Sequence, residues 1–466
     1  MPPWLIKFTP IAILLIVIGL VLLRLPKVEL GHSSAFKRRR IMNWLPLGLT
    51  YAFLYFGRYN LAAIAGELDK ANILSRDSFN EIDGVGAWVY GFAFLINGPL
   101  ADKLGGRATM LICTVGSALM NVGMALTMQH AVTGELGSDG LYTRLLLLNA
   151  INMYFQSFGA VSIVKVNAPW FHVRERGVLG GLFGVLISLG LYFSYDWSLM
   201  LGKSFGFAYS FWIPALVLGL CVGVTYLFVR DTPSKAGFHD FDTNDATSGM
   251  TETLRTKQVI QRMFSNRVIW IIVAIEFCSG FLRQAVMKQY RPYAASIGEG
   301  TSFVYVNWGM LLCVAGILGG VFAGFISDHV FGSRRGPVSS VLYGGLLFGA
   351  IVAWLMLGNP VLGWAVIFIS LCVIGVHGML SGTASMDFGG SKNAGLVTGV
   401  IDGFVYLGTG TQAFLYSRLL PSEAAKQDPA NWSIWPGLMI PVAAIGFLLC
   451  LQIWNARPKS GFSAGH

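Results

Sequence analysis

Apolar runs of roughly 20 residues recur along the chain, beginning near Phe8, Asn43, Gly84, Ala108, Leu145, Val178, Phe207, Val268, Phe303, Val338, Val361, Ala394 and Ile434. At about 1.5 Å per helical residue such a run crosses the ~30 Å hydrocarbon core of a bilayer, so each predicts a membrane-spanning helix. The last twelve fall into two sets of six. Between the sets lies the longest polar stretch, Arg230 to about Arg267, carrying Asp231, Lys235, Asp240, Asp242, Asp245, Glu252, Arg255 and Lys257. The predicted organisation is an extra N-terminal anchor (1–34), a six-helix bundle (35–230), a cytoplasmic linker (231–266), a second six-helix bundle (267–456) and a cytoplasmic tail (457–466).

Composition supports an all-α integral membrane protein. Of 466 residues, 54% are hydrophobic and only 12% charged, and the mean hydropathy is +0.61, a balance that a water-soluble domain does not carry. The six cysteines stand singly inside apolar runs, without metal-ligand or CxxC spacing, and read as packing residues. The net charge of +10 could suggest nucleic acid until its distribution is considered. Bases cluster on alternate loops, at Lys37–Arg40, Lys103 and Arg107, Arg174 and Arg176, Arg334 and Arg335, Lys392, and Arg457 with Lys459, whereas the opposite loops carry Glu67, Asp69, Asp77, Glu81, Asp83, Glu135, Asp139, Glu423 and Asp428. That alternation is the positive-inside pattern, with both ends of the twelve-helix core in the cytoplasm. It assigns the charge to topology.

The run from Phe8 to Leu23 is additional to the twelve. Lys7 precedes it, Arg24 and Lys27 follow, and no small-residue cleavage site appears. These features predict an uncleaved anchor with an external N-terminus.

The chain also repeats itself. Arg58 and Arg283 lie 225 positions apart, Gly98-Pro-Leu-Ala-Asp102 and Gly324-Phe-Ile-Ser-Asp328 lie 226 apart, and the spacing of Gly177, Gly181, Leu189 and Gly190 recurs at Gly395, Gly399, Leu407 and Gly408. Matched features in the first, second and fifth helices of each set predict two related bundles enclosing a midplane site.

Both repeated arginines are expected roughly 22 Å into their helices, fifteen residues past Asn43 and Val268 respectively. An arginine at that depth costs about 2.5–3.5 kcal/mol on insertion scales, which requires a function or a partner. Tyr51, Tyr55 and Arg58 share one helical face, as do Glu276, Ser279, Arg283, Met287 and Tyr290. Guanidinium forks among phenol hydroxyls suit an oxyanion, phosphate above all. The competing reading is structural pairing with an intramembrane carboxylate: Glu276, Asp196, Asp387 or Asp402. Lys288 and Arg291, near the outer end of their helix, fit either attraction of incoming anions or snorkelling. Lys165 fits either an anion contact or snorkelling. His377 reads as a hydrogen-bonded packing residue.

The segment GPLADKLGGR (Gly98–Arg107) and its counterpart GFISDHVFGSRRG (Gly324–Gly336) resemble the G-x-x-x-D-x-x-G-x-R signature of the major facilitator superfamily. That resemblance implies a gating role for Asp102, Arg107, Asp328 and Arg335. The YxxRxN run of the first core helix, FLR of the seventh, Phe155–Lys165 (FQSFGAVSIVK), Trp170–Gly177 (WFHVRERG) and Arg230–Phe238 (RDTPSKAGF) together resemble the organophosphate:phosphate antiporters, from about Asn43 to Leu420. The resemblance implies phosphate-clamping arginines at Arg58 and Arg283 and substrate contacts from Tyr51, Tyr55 and Tyr406. Lys165 and Asp402 complete the expected substrate-binding set. Pro169, Phe94 and Lys288 stand where glycerol-3-phosphate transporters carry histidine, lysine and aspartate, and the run Val400–Gly403 resembles animal sugar-phosphate exchangers.

The expected function is therefore exchange of an organic phosphate for inorganic phosphate by alternating access. The expected protein is a monomeric, multi-pass protein of the bacterial cytoplasmic membrane, without cofactor, metal, enzymatic activity or nucleic-acid partner. Two other classes remain: a phosphate-ester sensor that signals without transport, and a proton-coupled carboxylate transporter using Asp402 or Glu276.

Overall fold

A computed structural model describes residues 31–172, 185–243, 267–331, 335–422 and 424–455, with Ile16 and Gln261 as isolated positions. The anchor predicted at Phe8–Leu23 and Asp387's side chain lie outside the described residues, as do most of the linker and the tail beyond 455.

The first half contains α1 (Ser34–Lys70), α2 (Arg76–Leu104), α3 (Gly106–Val132), α4 (Ser138–Asn167), α5 (Val185–Phe205) and α6 (Tyr209–Phe228). The second contains α7 (Arg267–Ser296), α8 (Trp308–His329), α9 (Arg335–Leu355), α10 (Val361–His377), α11 (Thr383–Leu419) and α12 (Ile434–Gln452). Serine caps open α1 and α2: Ser33 accepts from the Phe36 amide and Ser75 from the Ser78 amide, each at 3.2 Å. α3, α6, α10 and α12 start within two residues of the predicted points, whereas α1, α2 and α4 start seven to nine residues earlier and α11 begins at Thr383 rather than Ala394, following a π-helical turn at Gly378–Gly382. A four-residue helix, Phe303–Val306, precedes α8.

Within the first half α3 packs on α4 and α6, and α2 on α4; within the second, α9 packs on α10 and α12. The halves meet along α2–α11, α5–α8 and α1–α7. Phe92, Ile96, Leu119, Leu216, Leu220, Phe348 and Leu448 are exposed, an apolar exterior that suits lipid rather than water. The described start of the linker folds back at the basic end, where Phe238 and Phe241 pack against Phe36. All six cysteines are buried and unpaired.

Glycine sets the seams near the bundle centre. A Cβ at Gly280 would overlap the Val405 carbonyl, and one at Gly408 the Phe277 carbonyl, so α7 and α11 touch through their backbones. Across the halves, a Cβ on Gly91 would stand 2.8 Å from the Gly403 carbonyl, and one on Gly403 3.0 Å from that of Gly91. Small residues permit such approaches in membrane bundles. Their consequence is positional: α11 is drawn against α2 and α7 together, which brings Tyr406 between the halves.

Candidate anion site between the two halves

Arg58 is 4% exposed and its guanidinium is fully engaged. Nε and Nη2 donate to Gln156 Oε1 at 3.2 and 3.0 Å, and Nη1 donates to the Tyr406 hydroxyl at 2.8 Å. Gln156 is fixed in turn by donating to the Leu54 carbonyl at 3.0 Å. The cation lies over the rings of Tyr55 and Tyr90, 4.6 and 4.8 Å from their centroids, an arrangement whose π faces offset part of the cost of a buried charge. Tyr51 packs edge-on against Tyr55, their centroids 5.5 Å apart. Tyr90 stacks on Tyr406 at 3.8 Å.

Arg283 is different. It is 8% exposed, and its cation stands 5.8 Å from the Tyr406 ring centre. Its Nε and Nη2 nevertheless have no hydrogen-bond partner. A buried guanidinium edge with two unanswered donors is costly in a protein interior, and it has the geometry that a phosphate or carboxylate accepts as a parallel pair. Among the described residues, no carboxylate pairs with either arginine. The structural-pairing reading finds no direct ion pair here, although buried Glu276 on the same helix lies close enough to Arg283 to interact with it electrostatically. Asp196 turns to Arg291 at 2.8 Å and accepts from the Gly309 and Met310 amides at 2.9 Å each. Glu276, fully buried, meets His377 Nδ1 at 3.2 Å, and Asp402 is buried one turn before Tyr406.

Other expected residues lie away from this pair. Lys165 forms an ion pair with Asp102 at 2.7 Å near the basic end of the first half. Arg107 joins α3 to the end of α6: its amide donates to Asp231 at 2.7 Å and its Nη2 to the Tyr226 carbonyl at 2.6 Å. Asp328 lies on α8 and Arg335 opens α9, with side chains outside the described residues.

Lys288 and Arg291 neither snorkel nor stand free to attract anions. Both are buried, at 4% exposure, and cross between the halves, Lys288 to Asp83 and Arg291 to Asp196. Further cross-half contacts join Lys426 to Asp69 at 2.8 Å, Tyr305 to Glu67 at 3.0 Å, Gln289 to Asn80 at 3.1 Å, and Arg76 to the Pro421 carbonyl. These contacts gather toward the acid-rich end of the bundle, so the halves are latched there.

Residues 47–412 match the family model described as Major Facilitator Superfamily. The chain belongs to that superfamily. Similar members include the glycerol-3-phosphate transporter of Bacillus subtilis (strain 168), 26% identical over 449 residues and covering 92% of this chain and 95% of its own. The membrane sensor protein UhpC of Escherichia coli (strain K12) is 24% identical, with coverage of 92% and 95%. A probable hexose phosphate transport protein of Chlamydia pneumoniae is 22% identical, with coverage of 92% and 94%. Among solved structures, an inward-facing, unoccupied bacterial homologue of the human lysosomal transporter Spinster shares the superfamily fold, with a TM-score of 0.67, 13% identity and coverage of 91% and 99%.

Sequence reasoning missed Gln156, Tyr59 and Tyr90. Gln156 lay within the quoted run Phe155–Lys165, where a lone amide in an apolar span was the available signal. Tyr59 follows Arg58 directly. Tyr90 carried no local signal beyond being aromatic.

Proposed function

We propose that this chain transports a phosphate ester across the membrane in exchange for inorganic phosphate. The phosphoryl group would bind the unpartnered edge of Arg283 and draw Arg58 with it through Tyr406. The observation that carries this reading is the asymmetry of the two arginines: one held in place by Gln156 and Tyr406, the other buried with two donors unanswered. The names of the B. subtilis and C. pneumoniae relatives support a phosphate-ester substrate. Tyr51, Tyr55 and Asp402 complete the lining on this reading, and Lys165, paired with Asp102 in this structure, would meet the anion only when that pair opens.

Obligate exchange follows from electrostatics. Among the described residues no carboxylate forms an ion pair with either guanidinium, so the empty interface would carry excess positive charge in a low-dielectric interior, and a bound dianion would cancel it. The halves, 35–230 and 267–456, would then rock between inward and outward states only when loaded. Asp102 and Arg107, with Asp328 and Arg335 in the second half, would serve the basic-end gate. We place the protein as a monomer in a bacterial cytoplasmic membrane with its basic loops inside.

The test is exchange of labelled phosphate in proteoliposomes loaded with unlabelled phosphate. Uptake that needs internal phosphate and disappears in Arg283→Lys is expected. The sensor names among the relatives favour a second reading, in which the same site binds a phosphate ester and reports it. Phosphate-ester binding without flux by the purified protein would select that reading.

A further inference from the structure

A basic cleft stands at the basic-loop end of the bundle, away from the central arginines. Arg39 on α1 and Arg230 just beyond α6 line a cleft of ≈ 390 Å³ together with Met42, Leu227, Phe228 and Lys235. Arg39 lies on the basic side of the apolar run that starts at Asn43. Part of each guanidinium caps the end of α6: Arg39 Nη2 donates to the Phe228 carbonyl at 2.8 Å, and Arg230 Nη1 to the Val229 carbonyl at 2.8 Å and the Tyr226 carbonyl at 3.2 Å. Capping accounts for one nitrogen of each arginine. It does not account for Arg39 Nη1, which is buried and has no hydrogen-bond partner.

The two cations also oppose each other. Burial and the charge of Arg230 hold the Arg39 pKa below its ordinary value. The nearby carboxylate, Asp231, is already engaged by Lys235 Nζ at 3.1 Å and by the Arg107 amide. The lining residue Leu227 is exposed, as are Ile41 and Tyr226, which stand next to lining residues, and Leu45, one helical turn from Ile41 along α1. The Arg39 cation lies 5.7 Å from the Trp170 ring centre, so the ring answers part of its charge but not the Nη1 donor. A basic pocket with an unanswered guanidinium donor beside exposed apolar side chains fits a ligand with an anionic head and an apolar tail.

We infer that the Arg39–Arg230 cleft binds a phosphate group, presented by the headgroup of an anionic phospholipid in the leaflet at the basic end. The acyl chains would run along Met42, Leu45 and Leu227, and the phosphate oxygens would accept from Arg39 Nη1 and Arg230. This inference does not depend on what the central site transports.

Native mass spectrometry of the full chain in detergent, titrated with phosphatidylglycerol or phosphatidylcholine, tests it. The variants are Arg39→Gln, which keeps a donor for the Phe228 carbonyl while removing the charge, and Arg38→Gln, an exposed neighbour outside the cleft. Preferential phosphatidylglycerol binding that weakens about fivefold in Arg39→Gln is expected, in line with ~1 kcal/mol per basic residue at a membrane surface. Arg38→Gln should bind like wild type. Equal lipid binding by wild type and Arg39→Gln, with both eluting as the same species in gel filtration, would overturn the site. A separate arm measures the thermal shift with inorganic phosphate in an Arg283→Lys background, where the central site is disabled. A phosphate-induced shift that needs Arg39, without preference for phosphatidylglycerol, would make free phosphate the ligand and overturn the lipid assignment.

Discussion

Gln284 Nε2 donates to the Tyr59 hydroxyl at 3.1 Å across the two halves, and these residues are themselves separated by the repeat interval of 225 positions. Each directly follows its half's arginine. Repeat-equivalent residues in contact lie close to the axis relating the two bundles, so Arg58 and Arg283 flank that axis on opposite sides. Their environments are nevertheless unequal, because Gln156 and Tyr90 of the first half surround Arg58 while Arg283 has Tyr406 beside it. If the two arginines clamp one anion, as proposed, the pseudo-symmetry pairs them and the asymmetry divides the tasks between them.

Those tasks separate in lysine variants. Arg283→Lys should reduce labelled-phosphate exchange by about 100-fold, because lysine cannot present two parallel donors and charged hydrogen bonds contribute roughly 1.5–3 kcal/mol each. Its melting temperature should stay near that of wild type, since the lost donors have no protein partner. Arg58→Lys should lose exchange and also melt earlier, because Gln156 and the Tyr406 hydroxyl are left unanswered. Equal melting losses in both variants would contradict the division of roles.

Tyr406 and Tyr90 stack on each other but differ at their hydroxyls. Tyr406 accepts from Arg58, whereas the Tyr90 hydroxyl has no partner. Tyr406→Phe should therefore weaken phosphate binding by roughly tenfold, the scale of one hydrogen bond to a charged group, and Tyr90→Phe should change it less than about twofold. Titration calorimetry on purified protein checks both. A larger loss in Tyr90→Phe would mean that its hydroxyl, not that of Tyr406, serves the anion.

How much of this site was legible depended on the range of the interaction. Arg58 and Arg283 stood out because a guanidinium in an apolar span is costly and the repeat marked both. Tyr51 and Tyr55 followed from helical spacing. The partners of Lys288, Arg291 and Asp196 did not, since each pair joins helices of different halves and spacing along one chain says nothing about which ends meet. The same holds for Tyr90: its place beneath Arg58 depends on how α2 docks against α1 and α11.

The crossing of α7 and α11 yields a sharper test. Gly280→Ala puts a methyl group into the Val405 carbonyl, one residue from Tyr406, and forces the helices apart. Exchange should fall at least about tenfold while the protein still inserts, because overpacking on this scale costs roughly 1–3 kcal/mol. Gly219 on α6 has no neighbour within 4 Å of the added carbon. Gly219→Ala should retain wild-type exchange, and comparable losses in both would show that glycine flexibility, not helix approach, is the requirement.

Ion pairs tie the two halves together at the acid-rich end. Asp196 lies in the π-helical turn Phe193–Trp197 of α5 and reaches across to Arg291 and to the amides that open α8. Removing its charge leaves Arg291 buried against carbonyls alone, and breaking a buried pair costs about 3–5 kcal/mol. That loss falls on the closed form, because opening this end rehydrates Arg291. Asp196→Asn should therefore shift the population toward opening at the acid-rich end. Spin labels at Ala71→Cys and Ser422→Cys, both exposed and on opposite halves, should report a longer distance in the variant by pulsed electron resonance. The ion pair of Lys426 with Asp69 resists the same motion, so adding Lys426→Gln should lengthen the distance further. An unchanged distance in the double variant would mean that packing along α2–α11, rather than the ionic latch, holds this end closed.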